Sequence, residues 1–129
     1  MLPPTDTSFL AERGIAHSIH VDGGMTCVIF PGWRVPVGYR QSETDLLLRL
    51  APGYPDLPPD MWWCEPALVL LDGTAPEATQ VTESYLGRNW QRWSRHFMQP
   101  GQWKPGVDGL QSYLARVRAE MTRSARRTA

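Results

Sequence analysis

Apolar residues recur along the chain at two spacings, and each spacing predicts a different kind of element. Near the C-terminus they recur every three or four positions, which is the period of one helix face: Val107, Leu110, Leu114, Val117 and Met121. Asp108 lies at the start of this run and three arginines follow Met121, so the charges suit the helix dipole at both ends. The pattern predicts a C-terminal helix.

Alternating and β-branched stretches in the first half of the chain predict an antiparallel meander of about four strands. Residues 15–21 alternate, residues 25–30 are apolar, and the Asp-Gly-Gly turn between them is typical of a hairpin. We expect a third strand over residues 44–50 and a short fourth strand over residues 68–71. Pro31 and the glycine after it are expected to break the sheet.

The remaining segments carry weaker signals. A short N-terminal helix is predicted, with Thr5 or Asp6 as its cap and Gly14 as its end. Residues 74–88 resemble a loop, and residues 89–96 fit either a strand or a helical turn. We expect residues 1–4 and 123–129 to be frayed.

The segment over residues 50–66 contains five prolines, together with Tyr54, Trp62 and Trp63. Proline fixes φ and cannot donate to a sheet ladder, so the chain must leave the sheet here. The aromatic residues give the segment large apolar surfaces to bury. We therefore predict a rigid, packed crossover, with at least one of the two tryptophans mostly buried and four ordered residues at its centre: Tyr54, Pro55, Pro58 and Pro59.

The chain has 129 residues, which is the size of one domain, and residues 1–129 are predicted to form it. The order of helix, meander, crossover and helix predicts an α+β fold with one helix-covered antiparallel sheet. No apolar run has the length of a membrane span and no targeting signal is apparent, so a cytoplasmic protein is expected. Cys27 and Cys64 form no C-x-x-C pair, and we expect free thiols, no metal and no cofactor.

Charge is divided unevenly along the chain, although the formal net charge is zero. Residues 1–87 carry eleven acidic and four basic side chains, a balance of −7, and residues 88–129 carry nine basic and two acidic ones, a balance of +7. Residues 88–95 also alternate arginine with tryptophan, as single-stranded nucleic-acid platforms do. The neutral net charge and the lack of a nucleic-acid motif favour tryptophan packing under stacked arginines instead.

Four motifs, in order, resemble those of ubiquitin-conjugating (E2, UBC-like) domains, and most closely prokaryotic E2 family E. The crossover resembles the Tyr-Pro…Pro-Pro segment that follows the sheet in such domains, and Val35-Pro-Val-Gly-Tyr39 resembles the family's Leu-Pro-x-Gly-Tyr. Trp90-Gln-Arg-Trp-Ser-Arg-His96 resembles its Trp-Gln-x-Trp-Ser-Arg-His, and Trp103-Lys-Pro-Gly-Val-Asp108 resembles its Trp-x-Pro-Gly-x-Asp. The resemblance implies a UBC-like fold. Its binding or structural residues would be Tyr54, Pro55, Pro58, Pro59, Trp93, Arg95, His96 and Trp103.

The same resemblance locates the place where an E2 enzyme holds its catalytic cysteine, between a histidine and a tryptophan. Here His96 and Trp103 would take those places, and residues 97–102 contain no cysteine. Cys64 is a weak candidate, because its apolar neighbours and Glu65 disfavour the thiolate. His96 is a candidate for orienting its own loop or the start of the last helix, and its replacement would then cost about 1–3 kcal/mol. It is also a weak catalytic candidate, as a general base.

Three functions follow from these observations. The first is a non-catalytic E2-like adaptor, and the second is an unconventional conjugating enzyme that uses Cys64 or a hydroxyl such as Ser94 as acceptor. The third is a nucleic-acid-binding module. The resemblance implies an E1-like (ThiF-type) enzyme, a JAB-type peptidase and a ubiquitin-like or multi-ubiquitin-like protein as pathway partners, and no membrane.

Overall fold

A computed structural model describes residues 2–96 and 101–126, and it shows an α+β fold. In chain order the elements are α1 (Pro4–Glu12), β1 (Ser18–Asp22), β2 (Met25–Arg34), β3 (Glu43–Leu50), β4 (Trp62–Glu65), β5 (Thr82–Tyr85), β6 (Arg88–Trp93) and α2 (Leu110–Arg126). The six strands form one antiparallel sheet in the order β1-β2-β3-β4-β6-β5. The α+β prediction is confirmed, whereas the prediction of about four strands is wrong.

The predicted and observed strands differ after β3. The fourth strand is Trp62–Glu65, not residues 68–71. Leu68 and Leu70 are buried as their apolar character suggests, but Leu70 forms only an isolated bridge with Tyr39. Part of the predicted loop over residues 74–88 is β5, and the ambiguous stretch after it is a strand, β6.

Strand β2 continues through the position where the sequence predicts a break. Its pairing with β3 shifts register between Phe30 and Trp33 and then resumes. Pro31 has no N–H to donate, and Gly32 adopts a positive φ of 64°, which suits a bulge. The Gly32 N–H donates to the Asp45 carboxylate at 3.0 Å, so the bulge is bonded to the neighbouring strand.

One face of the sheet packs against α2 and forms the main core. Leu46, Leu48, Trp62 and Cys64 contribute to this core from β3 and β4. The helix contributes its predicted apolar stripe from Leu110 onward, together with Tyr113. Val107 lies before the helix and is 79% exposed, so its inclusion in the stripe was wrong. A smaller cluster of buried residues covers the opposite face: Cys27, Ile29, Leu47, Trp63 and Trp90.

The Pro-rich crossover packs as the sequence predicts. Pro59 is buried, Trp62 and Trp63 are both buried, and Tyr54 packs against the main core. Of the segments expected to be frayed, Met1 and residues 127–129 lie outside the described residues. In the described part Leu2 is buried, Pro4 begins α1 and α2 continues to Arg126. Within the described residues no helix has the length and apolar character needed to cross a membrane.

Candidate functional site

The two cysteines lie inside the protein, on opposite faces of the sheet. Cys64 is in β4, paired in register with Leu46, and has no exposed surface. Cys27 is in β2 within the smaller cluster, and it is equally buried. An incoming thioester therefore has no access to either sulfur in the folded chain.

Burial also makes Cys64 a poor nucleophile. Removal from water disfavours the charged thiolate and raises the pKa of Cys64 far above its ordinary value, and a hydrogen bond with Thr44 offsets only part of that effect. The Thr44 hydroxyl itself donates to the carbonyl of Pro66 at 2.8 Å. At neutral pH the sulfur is a thiol packed in the core, as the sequence context indicates.

His96 lies on the surface, beside Asp60 at the end of the crossover's proline-rich part. Its Nδ1 is 2.7 Å from Oδ1 of Asp60, and its side chain is 66% exposed. Among the described residues His96 makes no bond to the start of the last helix, and the predicted bond within its own loop stays a prediction. Residues 97–100, which include most of the expected catalytic loop, lie outside the described residues.

Arg95, next to His96, is buried together with Trp90, Gln91 and Trp93 of the same motif. Its Nε donates to Glu120 at 2.9 Å and its Nη2 donates to the Ser124 hydroxyl at 3.0 Å. Its guanidinium also stacks over the Trp93 ring. Burial opposes ionisation of Glu120, but hydrogen bonds from Arg123 and Arg95 outweigh it and lower the pKa of that carboxyl. Arg95 therefore ties the end of β6 to the second half of α2.

The crossover, α1 and α2 meet at a buried carboxylate that the sequence reading assigned to another role. Asp6 makes no cap of α1 and is 3% exposed. Its Oδ2 accepts from the Tyr54 hydroxyl at 2.6 Å, and its Oδ1 accepts from the backbone N–H of Leu110 at 3.0 Å. Trp103 donates from Nε1 to the carbonyl of Pro55 at 2.8 Å. These bonds join two of the four sequence motifs.

The Pro-Val-Gly-Tyr motif is a docking point for the C-terminal part of α2. Tyr39 donates its hydroxyl to the carbonyl of Met121 at 2.6 Å. Gly38 has a φ of 117°, and a Cβ placed on it would lie 2.6 Å from the Cβ of Ala125. A side chain at this position would force the helix away, which explains why the motif contains glycine.

Gln91 is a second residue that sequence reasoning missed. The Gln91 side-chain amide donates to the carbonyl of Leu68 and accepts from its N–H, at 3.0 and 2.9 Å. The same amide oxygen accepts from the Trp93 indole at 3.0 Å. The side-chain amide of Gln91 thus bonds the backbone N–H and carbonyl of Leu68, which a neighbouring strand was expected to do. The sequence signal for this role was the position of Gln91 between two tryptophans that were expected to be buried.

The alternating arginine and tryptophan stretch does not form a stacking platform. Trp90 and Trp93 are fully buried, so neither can stack on a base. Arg88 pairs with Asp45 and Glu65, and Arg92 pairs with Glu83. These acidic partners come from the first part of the chain, so folding brings some of the opposite charges of the two parts together.

The edge strand β1 carries a pair of exposed polar side chains. Ser18 Oγ and His20 Nε2 are 3.0 Å apart on one face, whereas His17 bonds through Nδ1 to the carbonyl of Ile15. His20 lies in the edge strand, and His17 immediately precedes it. In the described part of the chain no three His, Cys, Asp or Glu side chains are placed to hold a metal ion.

The α+β fold is compatible with an E2-like domain, and the class of protein is shown by comparison with known families. The family model described as prokaryotic E2 family E matches residues 2–124, and the chain belongs to that family. Searches of curated proteins and of solved structures give no match. Family membership suggests an E2-like role in a prokaryotic ubiquitin-like pathway.

Proposed function

We propose that this chain is a non-catalytic, UBC-like adaptor that binds the E1-like enzyme or the ubiquitin-like protein of its pathway. The observation that carries the proposal is the position of its cysteines. The sequence contains two, neither lies between His96 and Trp103, and both are fully buried. An E2 enzyme needs an accessible thiolate to receive the activated C-terminus.

The hydrogen bonds made by the family motifs support a structural role for these motifs. Side-chain polar groups of the motifs form hydrogen bonds within the protein, as in Arg95, Tyr54 and Trp103. A domain whose helices are held in place by such bonds can present a preorganised surface to a binding partner. The E1-like enzyme, the ubiquitin-like protein and the JAB-type peptidase are proposed as members of the same pathway, with binding expected for at least one of the first two.

Binding is tested with the full-length chain immobilised on a sensor surface. The cognate E1-like enzyme and the ubiquitin-like protein are each passed over it, with and without ATP. We expect reversible binding to one of them that is unchanged in Cys64→Ser. Failure of both proteins to bind, over concentrations up to those of ordinary transient complexes (on the order of 10⁻⁴ M), would contradict the adaptor proposal.

A second candidate, an unconventional conjugating enzyme with a hydroxyl acceptor, is favoured by one observation. The Ser18 hydroxyl is within hydrogen-bonding distance of the His20 imidazole, and both are exposed. In such a step the hydroxyl oxygen would attack the thioester carbonyl, His20 would take the hydroxyl proton, and the E1 thiolate would leave. Ser94 is less suited, because its hydroxyl accepts from the Arg92 guanidinium, which cannot remove a proton.

The acceptor proposal has its own test. An oxyester on the chain survives thiol treatment, is cleaved by mild alkali and should be absent from Ser18→Ala and reduced in His20→Ala. Its absence from the wild type would exclude the second candidate and leave the adaptor.

A further inference from the structure

A groove with a volume of about 780 Å³ lies between the link from α1 to β1, the bulge of β2 and the first half of α2. Its volume is in the range of pockets that hold ligands or anchor side chains. The walls are largely apolar, and the side chains that form them come from all three elements: Phe9, Ile15, Phe30, Trp33 and Leu114. None of the residues used for the adaptor proposal lines it.

The groove carries positive charge, and none of the described residues that line it is acidic. Arg13, Arg34 and Arg118 line it, and each is exposed. Among the described residues none of the three forms an ion pair. This sets them apart from Arg88, Arg92 and Arg95, which all have carboxylate partners.

The arginines are held in place by contacts that leave much of their charge available. Arg118 lies over the Trp33 ring, 4.5 Å from its centroid, and donates one bond to the carbonyl of Arg34 at 3.1 Å. Arg13 lies over the Phe9 ring at 5.5 Å. Stacked guanidiniums are preorganised to bind carboxylates while they cover apolar surface. The indole N–H of Trp33 also has no hydrogen-bond partner in the part of the chain that the structure describes.

We infer that this groove binds an acidic peptide segment of a protein partner, with an aromatic or aliphatic side chain in the apolar cleft and flanking carboxylates on Arg13 and Arg118. Charge complementarity selects the occupant, because an apolar groove with three unpaired cations opposes a basic segment. Glu43 stands opposite Arg34 in the pairing of β2 with β3, so Arg34 is expected to contribute less than the other two.

The identity of the partner rests on the proposed function, but the groove can be tested without it. Random heptapeptides displayed on phage are selected against the biotinylated full-length chain, and the best peptide is synthesised. We expect sequences in which Asp or Glu flank Phe, Trp, Leu or Ile. Selection of basic peptides, or no enrichment at all, would overturn the inference.

The synthetic peptide is then titrated into the ¹⁵N-labelled chain. We expect saturable shifts for the amides of Gly14, Ala16, Gly32 and Ala115, and weaker affinity as salt is raised. Arg13→Gln should weaken binding on the order of tenfold, and Arg118→Gln at least as much. Arg13 is exposed, so its replacement leaves the fold intact. Arg126→Gln, an exposed arginine of α2 outside the groove, is the matched control and should bind like the wild type.

Three results would overturn the inference: shifts elsewhere on the surface, equal binding to Arg13→Gln and the wild type, or displacement of the peptide by millimolar dodecanoate, which would indicate a lipid-like ligand. The cognate proteins separate this inference from the proposed function. If neither binds the wild type, the adaptor proposal fails. If one binds the wild type and Arg13→Gln equally well, the groove inference fails alone.

Discussion

The hydroxyl of Tyr54 donates a 2.6 Å hydrogen bond to the buried carboxylate of Asp6, 48 positions earlier in the chain. The other oxygen of Asp6 accepts from the N–H of Leu110, the first residue of α2. One carboxylate thus holds the N-terminal helix, the crossover and the last helix together. The shape of the domain around its Pro-rich segment depends on this contact.

We expect Asp6→Ala to lower the free energy of unfolding by about 2–3 kcal/mol, because it leaves the Tyr54 hydroxyl and a helix N-terminal N–H without their acceptor. Chemical denaturation of the two proteins measures the difference. Asp56→Ala is the control, since Asp56 is exposed in the same crossover. Equal losses for the two variants would show that Asp6 does not hold the three elements together.

Gly38→Ala is expected to destabilise the protein more than Gly87→Ala, by about 1–3 kcal/mol. Both glycines have positive φ, so both substitutions strain the backbone. Only Gly38 would place its Cβ against α2, since nothing lies within 4 Å of a Cβ at Gly87. Thermal or urea unfolding of both variants isolates the helix contact. Similar losses would mean that α2 can shift away at no cost.

His96→Ala is expected to change stability by less than about 1 kcal/mol, rather than the larger loss that the sequence suggested. The reason is that its bond to Asp60 is exposed to solvent at both ends. Unfolding at low and high salt checks this, because salt screens any charge–charge attraction between exposed groups. A loss above 2 kcal/mol that is insensitive to salt would point to a role for His96 that its contact with Asp60 does not explain.

The Glu120 carboxylate should make stability depend on pH. Its pKa is lowered in the folded protein, so it binds a proton less readily there than in the unfolded chain. Its contribution is therefore complete above the ordinary glutamate pKa of about 4.3 and is lost as the pH falls through the lower, folded value. Glu120→Gln lacks this pH-dependent contribution to the free energy of unfolding.

We expect the wild type to be more stable than Glu120→Gln at pH 7 and the difference to shrink below pH of about 4. Glu12→Gln, an exposed substitution in α1, should keep the pH profile of the wild type. Urea unfolding from pH 7 to pH 3 measures all three. A difference between wild type and Glu120→Gln that stays constant over this range would contradict the role given to the Arg95–Glu120 pair.

Sequence patterns predicted the features that depend on the local spacing and density of apolar side chains. The helical stripe from Leu110 to Met121 and the burial of Trp62 and Trp63 follow from period and from aromatic density. The class of fold follows from the order of the predicted elements, and the family follows from the motifs.

The features that the sequence did not predict depend on contacts between distant residues. Asp6 resembles an N-cap in its local context, and only the folded chain brings it to Leu110. Leu68 has strand character, yet a side-chain amide from Gln91 satisfies its backbone. In the same way, the partner of His96 is an aspartate 36 residues away, which no local pattern indicates.

The central claim, that this chain carries no acyl group on sulfur, is tested most directly by intact-protein mass spectrometry. The wild type, Cys64→Ser and Ser18→Ala are each incubated with the cognate E1-like enzyme, ATP and ubiquitin-like protein, and analysed without reducing agent. We predict the unmodified mass for all three, while the E1-like enzyme itself becomes loaded. A thiol-sensitive adduct on the wild type that is missing from Cys64→Ser would contradict the account, because the buried sulfur would then be reachable.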